Sequence, residues 1–213
     1  MRDFIAERWT HILADSWQHL SLVVQCLILA TIIGVVCAAL SYQHPRLAAL
    51  ANNVSTVGLT IPSFALVGIL IIPFGFGVLP AVIVVTFFAA LPILRNAVVG
   101  LSEVDSNIVS AARGIGMSRI DTFFRVELPL AWPVILAGMR VSAQMTMGIA
   151  AVAAYALGPG LGGYIFSGLS RLGGANSFES VATGVIAVVI LALLLDLALI
   201  LLGRFTISRG IRV

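Results

Sequence analysis

The sequence contains no lysine and few charges of any kind. Its twelve basic residues are all arginine, against nine acidic residues, and charged residues occupy only 10% of the 213 positions. A soluble domain carries charged side chains at roughly 25% of its positions, because they cover its surface. Here 60% of the residues are hydrophobic and the mean hydropathy is +1.11. The composition therefore predicts that the lipid bilayer is the solvent for much of the surface.

The same shortages exclude several functions. Without lysine the chain cannot contain the phosphate-binding loop G-x-x-x-x-G-K-[ST], which argues against ATP hydrolysis by this chain. The arginines are spread between apolar runs, which argues against nucleic-acid binding. Cys26 and Cys37 share one apolar run and are separated by about 16 Å along a helix, too far for a disulfide. Since the three histidines are scattered, we expect no metal site and no cofactor.

Long apolar runs predict an all-α integral membrane protein with about five transmembrane helices. The predicted spans are residues 20–42, 47–72, 78–94, 132–157 and 181–203. The stretch between Arg46 and Arg95 has no charge and is too long for one crossing, so we divide it at the Phe74–Gly77 turn. Pro62 and Pro73 predict that its first half is a kinked helix or two shorter pieces.

Residues 1–17 precede the first predicted span. Aromatic and aliphatic residues recur there at helix-like spacing, with charges between them. The pattern is typical of an amphipathic helix that lies on the external membrane interface. A simple aromatic anchor with a frayed start is the alternative.

The segment of residues 100–131 is the most polar part of the chain. We expect a short helix over residues 107–112, which ends before Gly116. Ser118 and Asp121 fit the S-x-x-D capping box, which predicts the start of a second helix. A helix–glycine–helix element of this kind suits docking of a partner protein.

Within this segment the sequence resembles a known family. Permease subunits of bacterial ABC importers carry a cytoplasmic motif of the form E-A-A-x-x-x-G, followed after nine residues by I-x-L-P. This chain has Ser110-Ala111-Ala112, Gly116 and then Val126-Glu127-Leu128-Pro129 at the same spacing. Serine replaces the glutamate and valine replaces the isoleucine.

The resemblance extends over residues 18–203. Segments 60–64, 91–96 and 160–166 look like the permeases that import glycine betaine, carnitine, choline or proline. The resemblance implies a transport subunit rather than an enzyme. It also implies that residues 18–203 form the transmembrane domain of a type I ABC importer and that residues 204–213 form a cytoplasmic tail.

The resemblance also implies partners. They are an ABC ATPase subunit, an extracytoplasmic substrate-binding protein and a second permease subunit, identical or homologous. In such a family the ATPase docks on the 100–131 segment. The residues that correspond here are Ser110, Ala111, Ala112, Gly116, Val126, Leu128 and Pro129.

Arg140 and Asp196 are the only charged residues inside the predicted spans. Counted along antiparallel helices, they lie about 12 Å and about 10 Å from the inner boundary, where an unpaired charge is costly. We favour a structural ion pair, with a gate or pathway contact as the alternative. Pro62 and Ser63 lie in the broken span, where they either line the pathway or form a packing kink.

Glycines follow the fourth predicted span. Gly158, Gly160 and Gly163 fit the nucleotide-binding pattern G-x-G-x-x-G, but they follow a membrane span instead of a strand, so we interpret the match as chance. A flexible outer turn is the better interpretation. Gly160, Gly162, Gly163 and Tyr164 are then candidates for docking of the binding protein.

Two functions of other classes fit a five-span protein. An ATP-independent secondary transporter normally shows internal repeats and several intramembrane acids, whereas this chain has only Asp196 and no visible repeat. A non-transporting scaffold needs neither a docking segment nor a broken span. Co-elution of an ATPase with the purified protein would separate the three.

The arginine distribution predicts the orientation of this multi-pass protein in the cell membrane. With the N-terminus outside and the C-terminus cytoplasmic, eight arginines lie inside and three outside, as the preference of positive loops for the cytoplasm requires. We therefore expect Arg171→Cys, but not Arg209→Cys, to react with an impermeant thiol reagent in intact cells. Labelling of Arg209→Cys alone would reverse the orientation.

Overall fold

The computed structural model describes residues 1–156 and 158–207, and every regular element in those residues is helical. The helices are α1 (Arg2–Ser41), α2 (Pro45–Gly58), α3 (Ser63–Phe74), α4 (Val78–Ser102), α5 (Ser106–Gly114), α6 (Arg119–Thr122), α7 (Leu128–Ala153), α8 (Gly162–Leu169) and α9 (Ser177–Thr206). A π-helical turn (Phe123–Glu127) joins α6 to α7, and a 3-10 turn (Ala154–Ala156) follows α7. The all-α prediction is confirmed. Leu157, Arg209 and Arg212 lie outside the described residues.

The number of membrane spans agrees with the sequence. Four helical stretches are long and apolar enough to cross a bilayer: Arg2–Ser41, Val78–Ser102, Arg119–Ala156 and Ser177–Thr206. The pair α2–α3 is bent by 93° and makes a fifth span if the two halves cross together. Pro62 occupies the residue before α3, where its fixed backbone angle suits the start of a new helix. The predicted break in the second span is confirmed.

Helix α1 differs from the prediction. It runs without interruption for 40 residues, about 60 Å, or twice the roughly 30 Å of a hydrocarbon core. Residues 1–17 are therefore continuous with the first span and do not form a separate amphipathic helix. The physical reason is that no glycine or proline occurs before Gly34, so nothing in the sequence ends the helix.

Helix α4 lies at the centre of the bundle, between α1 and α7. Lipid tails are as apolar as leucine, so helices in a bilayer associate through close packing at small residues. A Cβ atom on Gly34 of α1 would lie 2.9 Å from Cγ2 of Ile93, and one on Gly138 of α7 would lie 2.8 Å from Cβ of Asn96. Glycine at both crossings therefore allows the backbones to approach.

Helix α9 joins the bundle through a charged contact. The Nε atom of Arg140 on α7 donates to Oδ1 of Asp196 at 2.8 Å, and its Nη2 atom donates to Oδ2 at 3.0 Å. The predicted pairing of these two residues is confirmed, with the bidentate geometry that favours arginine over lysine. Elsewhere α9 exposes long apolar side chains such as Leu193 and Leu194, which suits contact with lipid or with another helix.

Removing one partner of this pair leaves an unmatched charge within a span. We expect Arg140→Ala or Asp196→Ala to lower the free energy of unfolding by about 1–3 kcal/mol, a range reduced because the pair is partly exposed. The exchange Arg140→Asp with Asp196→Arg should recover much of that loss. The measurement is thermal unfolding in detergent. Equal damage from single and exchanged variants would mean that the pairing does not stabilise the protein.

Candidate functional site

The helix–glycine–helix element in the 100–131 segment is present. Helix α5 ends in a turn where Gly116 has φ +91°. The N–H of Gly116 donates to the carbonyl of Arg113 at 3.0 Å, and the N–H of Met117 donates to the carbonyl of Ala112 at 3.2 Å. These two bonds form the Schellman motif, which satisfies the last carbonyls of a helix and requires a left-handed residue. Gly116 is therefore needed for its backbone conformation.

Side chains cap the beginnings of both short helices. The carboxylate of Asp105 accepts from the N–H of Asn107 at 2.8 Å at the start of α5. The hydroxyl of Ser118 accepts from the N–H of Asp121 at 3.1 Å at the start of α6. The predicted Ser118 cap is confirmed, and the Asp121 carboxylate accepts from the Ser118 hydroxyl. The two caps orient the short helices without a core of their own.

The residues predicted to meet an ATPase differ in accessibility. Ser110, Ala111, Gly116 and Pro129 are exposed, whereas Val126 and Leu128 are half-buried. Ala112 is buried, so it packs inside the segment and does not offer a contact surface. The docking role of this set stays a prediction.

Large apolar side chains on the same segment were not among the predicted docking residues. Ile115 is 82% exposed and Ile120 is 72% exposed, and Ile108 and Phe124 are also exposed. The sequence feature that could have identified them is the presence of isoleucine in the most polar part of the chain, where short helices cannot bury it. Exposed apolar residues outside the spans are typical of a protein-binding surface.

Glu127 is a second residue that the sequence reasoning missed. Its side chain is only 3% exposed, it accepts a hydrogen bond from the phenol of Tyr42, and it lies 4.0 Å from Nη2 of Arg113. A buried carboxylate is tolerated only when partners satisfy it. The glutamate therefore joins α5, through Arg113, to the end of α1, through Tyr42. The sequence feature that could have pointed to Glu127 is a charge inside the otherwise apolar V-E-L-P motif.

The contacts of Glu127 continue into a wider network. The amide of Gln43 donates to the Tyr42 hydroxyl, and Nη2 of Arg119 donates to Oε1 of Gln43 at 2.8 Å. A cavity of about 420 Å³ opens beside these residues. The connection between α1 and α2 is thus tied to both short helices of the 100–131 segment.

The π-helical turn links this network to the membrane. The N–H of Leu128 bonds to the carbonyl of Phe123, one residue further back than in an α-helix. Pro129, next in sequence, lacks the N–H of a regular helix; π turns frequently mark functional positions. The stretch Arg119–Ala156 is nevertheless one helical rod of 38 residues, about 57 Å long.

The pathway candidates lie at the bend of the broken span. Pro62 is exposed and Ser63 is half-buried. The hydroxyl and the N–H of Thr60, also exposed, both donate to the carbonyl of Val57, at 2.7 Å and 3.0 Å. Broken helices at membrane depth occur where the freed backbone faces protein or a wet cavity. Pathway lining by Pro62 and Ser63 stays a prediction.

The glycines proposed for binding-protein docking have different surroundings. A Cβ atom on Gly160, at φ +109°, would lie 2.7 Å from Cβ of His19, and one on Gly162 would lie 2.1 Å from the carbonyl of Ala151. Glycine is therefore required at both positions, because close packing leaves no room for a side chain. Gly163 has open space around its Cα and is exposed.

Tyr164 lies beside Gly163 in a shallow cavity of about 280 Å³ that Arg8 and Asp15 of α1 also line. Burial raises the pKa of the Tyr164 phenol, and the negative charge of Asp15 raises it further. The phenol is therefore a neutral hydrogen-bond donor near a carboxylate. This surface combines charged and polar groups, as the rim of a protein interface does.

Comparisons with known proteins identify the family. Residues 30–207 match the family described as binding-protein-dependent transport system inner membrane component. The carnitine transport permease protein of Listeria monocytogenes is 36% identical over 92% of this chain and 88% of its own length. The osmoprotectant import permease protein of Salmonella typhimurium is 37% identical over 92% of both chains. The glycine betaine/carnitine/choline transport system permease protein of Bacillus subtilis is 32% identical over 100% of this chain and 96% of its own.

Solved structures agree with the fold. A methionine ABC transporter in an inward-facing conformation matches with a TM-score of 0.78 at 20% identity, over 95% of this chain and 99% of that one. A second crystal form gives a TM-score of 0.75 at 22% identity. The architecture is therefore that of a type I ABC importer permease. The chain belongs to the family of binding-protein-dependent transport system inner membrane components, the permease subunits of ABC importers.

Proposed function

We propose that this chain forms, with a second permease subunit, the translocation pathway for a compatible solute such as glycine betaine, carnitine, choline or proline. The names of three relatives support this substrate class, since they refer to carnitine, to osmoprotectants and to glycine betaine, carnitine and choline. The similarity to these relatives extends over at least 92% of this chain. A binding protein delivers the solute at the outer face, where Gly163 and Tyr164 are the accessible docking candidates.

The observation that carries the coupling proposal is the exposure of Ile115, in the turn after α5, and of Ile120, in α6. An ATPase subunit covers these side chains and removes them from water, which stabilises the complex. Ser110 and Ala111 allow close approach of the ATPase beside them. Serine in place of the family's glutamate leaves apolar burial as the main source of affinity at this position.

The network around Glu127 converts docking into movement of the membrane helices. When ATP closes two ATPase subunits, α5 and α6 move with them. Arg113 and Glu127 transmit the movement of α5 to the π-helical turn, and Arg119 and Gln43 transmit the movement of α6 to the α1–α2 connection. Because the helical rod Arg119–Ala156 is continuous, a tilt at its inner end displaces its outer end as well.

A secondary transporter or a scaffold has no use for an ATPase surface. The docking proposal is therefore tested by the variant Ile115→Asp, which places a charge on the surface without touching the packed core. We expect it to abolish co-purification of the ATPase and uptake of labelled glycine betaine in cells. Leu172→Asp is the matched control, because Leu172 is also highly exposed but follows α8 in the outer loop. Normal assembly and uptake in Ile115→Asp would exclude this surface from the mechanism.

The conformation of Gly116 is tested in the same assay. Gly116→Val should weaken ATPase binding, because a left-handed conformation costs a side-chain-bearing residue about 1–2 kcal/mol. Gly114→Ala is its control, since Gly114 is helical with nothing within 4 Å of an added Cβ. Equal behaviour of the two variants would show that the turn is not under conformational constraint.

The role of Glu127 is tested by measuring how well ATP hydrolysis is coupled to transport. We expect Glu127→Ala to reduce the ratio of solute transported to ATP hydrolysed and to destabilise the protein by about 1–3 kcal/mol, because Tyr42 loses its acceptor. Glu103→Ala, in the same segment but exposed, should change neither. In a double-mutant cycle, the effects of Glu127→Ala and Tyr42→Phe on the ratio of solute transported to ATP hydrolysed should be strongly non-additive. Additive effects would mean that the Tyr42–Glu127 contact does not transmit the movement.

A further inference from the structure

Three aromatic rings from separate segments meet near the outer end of the helical rod. The ring of Phe64, at the beginning of α3, lies 4.9 Å from that of Tyr155 in the 3-10 turn, centroid to centroid. The ring of Phe166 on α8 lies 5.7 Å from that of Tyr155. We call these three residues the ring cluster. The Phe64 and Phe166 rings are tilted by 59° and 57° to the Tyr155 ring, so the ring faces are not stacked on one another.

The ring cluster is not part of the packed core. Phe64 is 50% exposed and Tyr155 is 49% exposed, whereas Phe88, on the central helix, is buried. Rings that only hold helices together bury their faces, because aromatic side chains contribute most of their stabilisation through the area that they remove from water. Here about half of each of two side chains remains open to a ligand.

The position of the cluster connects it to the transport pathway. Phe64 follows Pro62 and Ser63 directly, at the 93° bend of the broken span. Substrate sites in transporters are commonly built at such discontinuous helices. Tyr155 lies in the helical rod whose other end carries the proposed ATPase surface, so movement of the rod changes the position of Tyr155 relative to the other two rings.

We propose that the ring cluster binds the trimethylammonium group of the transported solute. A quaternary ammonium group has no N–H and cannot donate ordinary hydrogen bonds, so proteins hold it against the negatively charged faces of aromatic rings. Glycine betaine, carnitine and choline all carry this group. The inference rests on the proposed function and adds the residues that contact the solute after the binding protein releases it.

Phosphatidylcholine headgroups carry the same chemical group, so the test is made in vesicles of phosphatidylethanolamine and phosphatidylglycerol only. The complete transporter is reconstituted with its ATPase and binding protein, and uptake of labelled glycine betaine is measured per assembled complex. Phe64→Leu and Tyr155→Leu remove a ring but keep apolar volume, whereas Tyr155→Phe keeps the ring. Phe178→Leu is the control, because Phe178 is an exposed aromatic residue on α9 outside the cluster.

The leucine variants should lower the maximal rate of uptake by about two- to thirtyfold, the range expected for one cation–π contact. The half-saturation concentration should not change, because the binding protein determines capture from solution. Tyr155→Phe and Phe178→Leu should match the unmodified transporter.

Each other outcome is decisive. An unmodified transporter that takes up none of glycine betaine, carnitine, choline and proline would refute the proposed function, on which the inference depends. Uptake of proline alone would leave that function standing and overturn the ring-cluster site. Normal uptake with unchanged rates in both leucine variants would overturn the ring-cluster site alone. So would a loss explained by reduced assembly, a loss shared by Phe178→Leu, or a loss that occurs only when phosphatidylcholine is present.

Discussion

The close approach of α4 to α1 and α7 is the constraint on which the rest of the structure depends. In a bilayer there is no hydrophobic force between helices, so contact distance and buried hydrogen bonds must hold them together. Glycines at 34 and 138 permit that distance, and the hydroxyl of Ser142 on α7 donates to the carbonyl of Ala89 on α4 at 2.7 Å. These three helices therefore pack as one body. Elements that move relative to that body must be attached at its edges, through contacts that can change.

The attachments at the edges are polar where the centre is apolar. Helix α9 is attached by Arg140 and Asp196, and the two short helices by the network around Glu127. Such contacts are directional and depend on exact partners, so a small displacement breaks one arrangement and permits another. Apolar packing against lipid is not directional and does not depend on one partner. On the proposed mechanism, this difference lets a bundle held together by close packing respond to an ATPase docked on residues 100–131.

Local chemistry made much of the fold predictable. A capping box needs two residues three positions apart, a proline ends or bends a helix by itself, and the depth of Arg140 and Asp196 follows from counting residues along two spans. The burial of Glu127 could not be predicted, because it depends on Tyr42, 85 positions away. Ala112 and Ile115 are three positions apart yet have opposite exposure. The direction in which α5 packs buries Ala112, whereas Ile115 lies in the turn after the helix ends.

The proposed mechanism places coupling and solute binding on one helical rod. Glu127 and Tyr155 both belong to Arg119–Ala156, about 42 Å apart along its axis. The other rings belong to α3, which begins at the bend at Pro62, and to α8, which the glycine turn at Gly160 separates from that rod. A tilt driven at the π-helical turn therefore moves Tyr155 while Phe64 and Phe166 stay with their own helices. On this mechanism the motion that switches access also separates the rings, so the solute is released by loss of its cation–π contacts, without a second switch.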